Sequence, residues 1–463
     1  MYFCKRRRTV PRNITLNNYN IQWVEQYKYL GIIFDSHLSW TAHIDYLTVK
    51  ASQGLNVLKS ITKVWWGSDP KILLLVYKGI IRSHLEFGTQ CIFKTSKANW
   101  HKLNKMQYQS LRAVMGHMKS TPIRAILAET GETPLDIRRI WLISKYLLKT
   151  SSLIPNRIQQ QILEFFNIYN ENQANYWTRY ATPAIIDAFN IINPFQQYLY
   201  RSDQIPCYNF PYQTQVKNIN FNKTNLKKQI NNEIHFAQFL KKNYSTHKVI
   251  YTDASVNPEN KTCGIGIYCP QPEIQISRRI TDYTPICTAE TLAIREAIRT
   301  MGHQTNQFLI VSDSLSALQS IAKQGLIRNN DYITLSTRQE FLTALSNGRE
   351  INLIWVPSHT GIKGNEKADA LALRGRLNEN VTQVNLLKYE AFFPQIKKHL
   401  WEMWKDRYQN WPSNSGQYYK DIQPYPLKTP WFKYGRYKNR IKTTMISKMR
   451  TNHCCTPLHL NKI

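Results

Sequence analysis

The sequence has no long hydrophobic run. Its longest clean apolar stretch is ILLLVY at 72–77, far short of the ~20 apolar residues that a membrane-spanning helix needs. The N-terminus MYFCKRRRTV is basic, but no apolar segment follows it, so it does not fit a secretory signal peptide. We therefore expect no membrane partner.

Cysteine is sparse, with eight residues scattered over a chain of 463. This number and spacing do not suggest a disulfide scaffold, so we expect a reducing, intracellular compartment. The sequence does not separate the nucleus from the cytoplasm, because KRRR at 5–8 suits a nuclear signal and a solvated basic end equally.

Acidic residues are also few: 30 Asp and Glu stand against 61 Lys and Arg, a formal net charge of +31. Together with 12% aromatic residues, this excess predicts a polyanionic partner, most simply nucleic acid. Solubility alone is the alternative explanation, although charge of either sign would provide it. The sequence indicates no particular protein partner.

The charge is uneven along the chain. Residues 246–378 hold 14 Lys and Arg and 12 Asp and Glu, whereas the rest holds 47 and 18. We predict a mainly helical region at 1–150, a connecting region without clear periodicity at 151–245, a domain at 246–378, and a basic, aromatic region at 379–463.

Residues 246–378 alternate between strand and helix patterns. KVIYTDAS, GIGIYC and EIQISRRI are typical of three strands separated by turn residues. CTAETLAIREAIRTMG then predicts a helix, QFLIVSDS and INLIWVPS two further strands, and NEKADALALRGR the last helix. This order predicts an α/β fold with a mixed five-stranded sheet flanked by helices.

Three acidic residues of this domain occupy positions that packing does not explain. Asp253 and Asp313 directly follow apolar strand patterns, and Glu290 lies in an apolar part of a helix. One such aspartate is often only a turn former. Two at the same sheet edge, with a glutamate facing them, would crowd like charges at a cost in free energy unless a cation holds them.

Asp369, early in the last predicted helix, adds a fourth carboxylate. Four oxygen ligands without cysteine or clustered histidine favour a hard cation such as Mg²⁺ or Mn²⁺. Two such ions about 4 Å apart can activate water and stabilise the leaving oxygen of a phosphodiester.

The motifs YTDAS, CTAETLAI, IVSDSLSAL and WVPSHTGIKGNEKADALA, in this order over residues 247–376, resemble type I ribonuclease H. The resemblance implies an RNase H-like fold and an endoribonuclease that cuts the RNA strand of RNA–DNA hybrids, leaving a 3′-hydroxyl and a 5′-phosphate. It implies two Mg²⁺ ions, for which Mn²⁺ can substitute. The catalytic metal ligands that it implies are Asp253, Glu290, Asp313 and Asp369.

The resemblance implies roles for four further side chains. His359 matches a mobile-loop histidine that assists proton transfer or product release, and a side chain that titrates near neutral pH suits that task. Ser255, Ser314 and Asn365 match positions that contact the backbone of the hybrid.

Residues 1–150 resemble the C-terminal, thumb region of a reverse transcriptase from a LINE-type (non-LTR) retrotransposon. The matching phrases are YKYLGIIFDSHLSWTAHI, VYKGIIRSHLEFG and LRAVMGHMKSTPIRAILAETGETPLDIRR. No two aspartates are adjacent anywhere in the chain, so the Tyr-x-Asp-Asp motif of the polymerase palm is absent, and we expect no reverse transcriptase activity. The resemblance implies that these basic helices grip duplex, with binding that depends sharply on salt.

The leading prediction is therefore a retrotransposon-derived ribonuclease H that uses two metal ions. The alternative is a catalytically silent nucleic-acid-binding fragment of a retroelement, which the four intact motifs disfavour. A transposase or integrase on the same fold would need a late glutamate, whereas Glu290 precedes the second aspartate. Cleavage of a hybrid separates these hypotheses.

Overall fold

The structure is a computed structural model of the chain. The residues that it describes are 3, 14–63, 67–92, 95–154, 157–171, 182–203, 220–223, 232–301, 306–322, 332–382, 386–411, 415–433 and 439–453. Within these ranges, no helix is long and apolar enough to cross a membrane.

Strands and helices alternate in blocks along the chain. The strands are β1 (Thr15–Leu16), β2 (Tyr19–Asn20), β3 (Gln26–Tyr29), β4 (Ile32–Asp35), β5 (Leu153–Ile154), β6 (Ser202–Asp203), β7 (Asn220–Lys223), β8 (Lys248–Val256), β9 (Cys263–Pro270), β10 (Glu273–Ile280), β11 (Gln307–Ser312) and β12 (Glu350–Trp355). The α-helices are α1 (Thr41–Ser60), α2 (Pro70–Val76), α3 (Ser83–Glu86), α4 (Lys97–Met115), α5 (Ile123–Thr130), α6 (Leu135–Ser151), α7 (Arg157–Glu171), α8 (Ala184–Ile192), α9 (Asn232–Asn243), α10 (Ile286–Met301), α11 (Leu315–Ala322), α12 (Tyr332–Ser346), α13 (Lys363–Leu377), α14 (Phe393–Gln409), α15 (Gln417–Ile422) and α16 (Arg440–Arg450).

The chain divides into two compact units. Unit 1 comprises Met1–Thr150, Asn156–Pro194 and Pro394–Ile463, and unit 2 comprises Ser151–Pro155 and Phe195–Phe393. Helices α14, α15 and α16 of the basic C-terminal region thus share a unit with residues 1–150, from which they are remote in sequence. The predicted connecting region contributes α7 and α8 to unit 1, and β7 and α9 to unit 2.

Unit 1 is mainly helical, and the apolar spacing of residues 1–150 predicts this for its first part. Residues Gln26–Asp35 of this unit form the antiparallel hairpin β3–β4. Leu30 and Gly31 connect the two strands and both have positive φ angles, 47° and 84°. Two such residues form the tight turn whose twist matches paired strands, and glycine adopts this conformation without strain.

Buried polar contacts tie α16 to the N-terminal helices of unit 1. The guanidinium group of Arg440 donates hydrogen bonds of 2.8 Å to the carbonyl oxygens of Thr62 and Val114. Glu129, which is fully buried, accepts bonds of 2.7 Å from Ser447 Oγ and Arg450 Nε. A buried polar group is stable only when it finds such partners, so these contacts fix the helices against one another.

Unit 2 is built on one mixed sheet. Strands β8, β9 and β10 are antiparallel neighbours, β11 runs parallel to β8, and β12 runs parallel to β11. This arrangement confirms the predicted five-stranded sheet. The structure adds β7 as a sixth strand, parallel to β12 at the edge; β7 lies outside the predicted domain.

Side chains of the sheet alternate between two apolar layers, as the two-residue period of a strand requires. Ile250, Phe308 and Ile310 face one layer, to which α10, α11 and α12 contribute. Tyr251 and Leu309 face the opposite layer, together with residues of α9 and α13. Helices therefore cover both faces, and the strand ends are left to carry polar side chains.

Candidate metal centre

The pairing of β8 with β11 brings two aspartates side by side. Ser312, the last residue of β11, lies opposite Thr252 of β8, so Asp253 and Asp313 follow a matched pair in adjacent parallel strands. From the sequence we expected Asp253 to end its strand, and this expectation was wrong. Asp253 lies inside β8, because the next residues stay paired with β9, for example Ser255 with Gly264.

Glu290 approaches these aspartates from α10. One carboxylate oxygen from each of Asp253, Glu290 and Asp313 lies within 4.8 Å of the other two. Asp253 and Glu290 are buried, and Asp313 is half-buried. Three acids spread over about 60 residues of sequence thus meet near the ends of the central strands β8 and β11.

This crowding disfavours the charged forms of the buried acids. Burial, and next the charge of Asp313, raises the pKa of Asp253 to about 7. Burial, followed by the charges of Asp253 and Asp313, raises the pKa of Glu290 well above its usual value. Among the described residues, no lysine or arginine forms an ion pair with any of the three. A cation from solution is therefore what would stabilise the charged cluster.

The donor set fits a hard divalent cation. All three ligands are carboxylates, which Mg²⁺ and Mn²⁺ prefer over soft ligands. The Oε2 atom of Glu290 is buried and has no hydrogen-bond partner in the part of the chain that the structure describes. A buried, unpartnered oxygen costs free energy, and binding a cation would satisfy it.

Asp369 lies in the second turn of α13 and is half-buried. Its charge contributes to the raised pKa of Asp253, but its carboxylate is not part of the group of three within 4.8 Å. The assignment of Asp369 as a fourth ligand stays a prediction.

Close packing of α13 on β9 determines how near Asp369 comes to the other three acids. A Cβ atom on Gly266 would overlap the Ala368 carbonyl oxygen and the Ala372 amide nitrogen, and one on Gly264 would overlap the backbone of the same helix. Only glycine permits this approach. The alternating glycines of GIGIYC were the available sequence signal, and we had interpreted that segment only as a strand.

His359 lies in the loop between β12 and α13. Its side chain is exposed, and its backbone has a left-handed φ of 54°, followed by 81° at Gly361. The imidazole is therefore open to solvent. The role of His359 in proton transfer stays a prediction.

The three predicted backbone-contact residues have different surroundings. Asn365 is 5% exposed, and its Nδ2 donates a 3.4 Å hydrogen bond to Asp313 Oδ2, so it orients a candidate ligand. Ser255 Oγ accepts a 3.1 Å bond from Arg376, and the amide of Ser314 donates a 3.1 Å bond to Ser312 Oγ. Their contacts with nucleic acid stay predictions.

Two residues near the cluster were missed. Trp355 Nε1 donates a 2.9 Å hydrogen bond to the carbonyl oxygen of Asp313, and Arg376 of α13 donates to Ser255. Nothing in the sequence marked them, because an arginine in a basic chain and a tryptophan at a strand end are unremarkable without the contact that they make.

Comparison with known proteins agrees with this geometry. A model of the RNase H family matches residues 245–376. The chain is 25% identical over 146 residues to the Retrovirus-related Pol polyprotein from type-1 retrotransposable element R1 4 of Nasonia vitripennis, a match covering 32% of this chain and 37% of that protein. It is 24% identical over 140 residues to the corresponding R1 polyprotein of Bradysia coprophila, covering 29% and 14%.

A third relative is the Putative 115 kDa protein in type-1 retrotransposable element R1DM of Drosophila melanogaster. That match has 24% identity over 132 residues, 28% of this chain and 13% of the relative. The chain thus spans well under half of the length of each curated relative. The sheet order and the clustered acids agree with the match of residues 245–376 to the RNase H family. Over about a third of its length, the chain is also similar to R1-type retrotransposon polyproteins.

Proposed function

We propose that the chain hydrolyses the RNA strand of RNA–DNA hybrids with two divalent cations held at the acidic cluster. The observation that carries this proposal is the convergence of Asp253, Glu290 and Asp313 within 4.8 Å in a domain of the RNase H family. A packed core gains nothing from three crowded carboxylates, whereas a phosphodiesterase needs them.

Mg²⁺ is the cation that the proposal favours, with Mn²⁺ as a substitute. When bound, the cations would stabilise the charge that develops on the phosphodiester and favour ionisation of the attacking water. Asp253, Glu290 and Asp313 would hold them, and Asp369 would complete the ligand set. The fixed positions in β8, directly after β11 and on α10 pre-organise the acids, so little reorganisation accompanies binding.

The remaining residues would position the substrate and move protons. Asn365 holds Asp313 through its side-chain amide, and its buried Oδ1 atom has no partner among the described residues. His359, exposed on its loop, would transfer a proton between the reacting groups and solvent. Ser255, which lies in β8, and Ser314, which follows β11, would contact the backbone of the hybrid.

A cleavage assay with a labelled RNA–DNA hybrid and Mg²⁺ tests the proposal. The full chain should release shorter RNA, and Asp253→Asn or Asp313→Asn should lower kcat about a thousandfold, since the metal effect amounts to several kcal/mol. Glu366→Gln is the matched control, because Glu366 is an exposed acid on α13 and should leave the rate within about twofold.

Two outcomes would contradict the proposal. Unchanged cleavage by Asp253→Asn would mean that another site, or a contaminant, cuts the RNA. Tight binding of the hybrid without cleavage in either Mg²⁺ or Mn²⁺ would instead support the catalytically silent fragment. A duplex of DNA alone, which lacks the 2′-hydroxyl, should not be cut.

A further inference from the structure

Unit 1 contains a cavity whose chemistry the RNase H domain does not account for. It has a volume of about 510 Å³ and lies between α6, α14 and the loop after α5. Two tryptophans, Trp141 and Trp401, line it, and we refer to it as the Trp141–Trp401 cleft. Its cationic lining residues are Lys78, Arg82, Arg138, Lys397, Lys398 and Lys428.

Half of these cations are already paired with acids, of which Glu132 is buried and Glu86 is half-buried. Glu132, 3% exposed, lies 3.1 Å from Lys78 Nζ and 2.9 Å from an Arg82 guanidinium nitrogen. Arg138 forms two hydrogen bonds with the carboxylate of Glu86, of 2.8 and 3.0 Å. These ion pairs line one side of the cleft. Lys78, Arg82 and Arg138 are therefore explained by their acidic partners, without a ligand.

The other three basic residues of the cleft are not explained by ion pairs. Lys397, Lys398 and Lys428 are exposed, and in the described ranges of the chain none of them forms an ion pair with a carboxylate. Lys397 Nζ lies 5.2 Å from the ring centre of Trp141, and Lys428 Nζ lies 5.5 Å from that of Trp401. The cleft thus places exposed ammonium groups over aromatic faces.

This combination is what an unpaired polynucleotide strand requires. Aromatic faces stack with bases of any sequence, and lysines beside them follow the phosphates. The volume also favours a single strand over a duplex. A pocket of about 300–1,000 Å³ holds one small-molecule group, such as a single base, whereas a double helix does not fit inside it. A base that stacks on Trp401 would release Lys428 to contact the adjacent phosphate.

We propose that the Trp141–Trp401 cleft binds single-stranded nucleic acid, with a base against Trp401 and the strand's phosphates on Lys397, Lys398 and Lys428. The proposal is independent of hybrid cleavage, because none of these residues belongs to the acidic cluster. Asp253→Asn should therefore bind single strands as the unmodified chain does.

Fluorescence anisotropy of the full chain with a labelled single strand of about 15 nucleotides, as DNA and as RNA, tests the proposal. EDTA keeps the acidic cluster free of metal during the titration. Lys397→Glu with Lys398→Glu should raise Kd about tenfold or more, and Trp401→Leu about tenfold, as loss of one stacked base predicts. Binding should also quench tryptophan fluorescence, and Trp401→Leu should reduce that quenching.

The matched control is Lys241→Glu with Lys242→Glu. These lysines are also adjacent and exposed on a helix, but they belong to unit 2, so an equal change of net charge should alter Kd less than twofold. Lys397 and Lys398 are exposed, so their replacement tests the cleft even if Trp401→Leu fails to fold.

Three results would overturn the proposal. An equal loss in the control would show that net charge alone attracts the strand. Equally tight binding of duplex DNA, lost in the same variants, would show that the surface contacts phosphates without stacking bases. Displacement of the strand by inorganic phosphate or dAMP near the Kd of the strand would show that the cleft is a small-anion site.

Discussion

Unit 1 and unit 2 both bury carboxylates, but they surround them differently. In unit 1, Glu129 is fully buried and lies 2.7 Å from Arg450 Nε, and Glu132 contacts Lys78 and Arg82. In unit 2, Asp253 and Glu290 are buried beside Asp313, and no basic side chain pairs with them within the described residues.

The paired acids of unit 1 stabilise the fold, whereas the crowded acids of unit 2 are arranged to bind a cation. Pairing compensates a buried charge for its lost hydration, whereas three unpaired acids keep that cost until a cation arrives. Overall charge follows the same division: unit 1 has 39 Lys and Arg against 14 Asp and Glu, and unit 2 has 22 against 16. Basic residues are concentrated in unit 1, and the candidate chemistry lies in unit 2.

The largest stability effect should come from breaking a pair in unit 1. Glu129→Gln leaves Arg450 without its carboxylate, and breaking a buried pair costs about 3–5 kcal/mol. Urea unfolding with hydrogen exchange of peptides from α5 and α16 would measure it. Glu402→Gln, which removes an exposed pair with Lys405, is the control and should cost under about 1 kcal/mol. Equal effects would remove the distinction between the two units.

Removing a carboxylate charge in unit 2 should increase stability, whereas removing one in unit 1 should decrease it. The pKa of Asp253 is about 7 in the fold and 3.8 ordinarily. Without metal, in EDTA, the folded chain holds the Asp253 proton more tightly than the unfolded chain does. The stability that this proton contributes is fully present below about pH 4 and is lost as the pH rises through about 7. Asp253→Asn should therefore stabilise unit 2 at pH 8 by up to about 4 kcal/mol.

Added Mg²⁺ completes that experiment. It should stabilise the unmodified chain at pH 8, because it binds the folded acids, and it should do so far less for Asp253→Asn. Asp282→Asn is the control, since Asp282 pairs with Arg279 at 2.9 Å. Hydrogen exchange of β8 and α10 reports the change, and a destabilised Asp253→Asn in EDTA would contradict the comparison.

A smaller effect should appear in unit 1 at mildly acidic pH. Burial, then the nearby charges of Lys448, His453 and Arg112, lowers the pKa of His117 to about 3. The unfolded chain binds a proton near pH 6.5 and the folded chain does not, so stability falls as the pH drops from about 6.5 towards 3.

At pH 5 the expected loss from His117 is about 2 kcal/mol. Unfolding titrations of unit 1 at pH 7.5 and pH 5 would measure it, and His117→Gln, which does not titrate, should show a smaller difference between the two. An unchanged pH dependence in His117→Gln would show that another group is responsible.

Most of unit 2 could be predicted from the sequence, because local patterns encode it. Short apolar runs predicted β8, β11 and β12, and the apolar period of α10 placed Glu290 on a buried face. The edge strand β7 could not be predicted, since four polar-rich residues carry no period and their partner, β12, is more than 120 residues away. The hairpin at Leu30–Gly31 is hard to predict for a related reason, because its strands are too short to show alternation.

Unit 1 was less predictable, because its defining contacts join distant segments. Basic residues near the C-terminus predicted an affinity for polyanions, but the sequence did not indicate that Arg450 neutralises Glu129 or that Arg440 caps carbonyl groups of Thr62 and Val114. These contacts depend on where α16 packs, and nothing local to α16 specifies that position.

The sequence by itself determined which acids follow apolar strands and which lie on apolar helix faces, since strand and helix periods depend on neighbouring residues. Only the tertiary structure decided which acids meet. The register that pairs Thr252 with Ser312 brings Asp253 beside Asp313, and the glycines of β9 set how closely α13 and Asp369 approach. Distances through space decide whether a carboxylate is paired, crowded or free, and a linear pattern does not contain them.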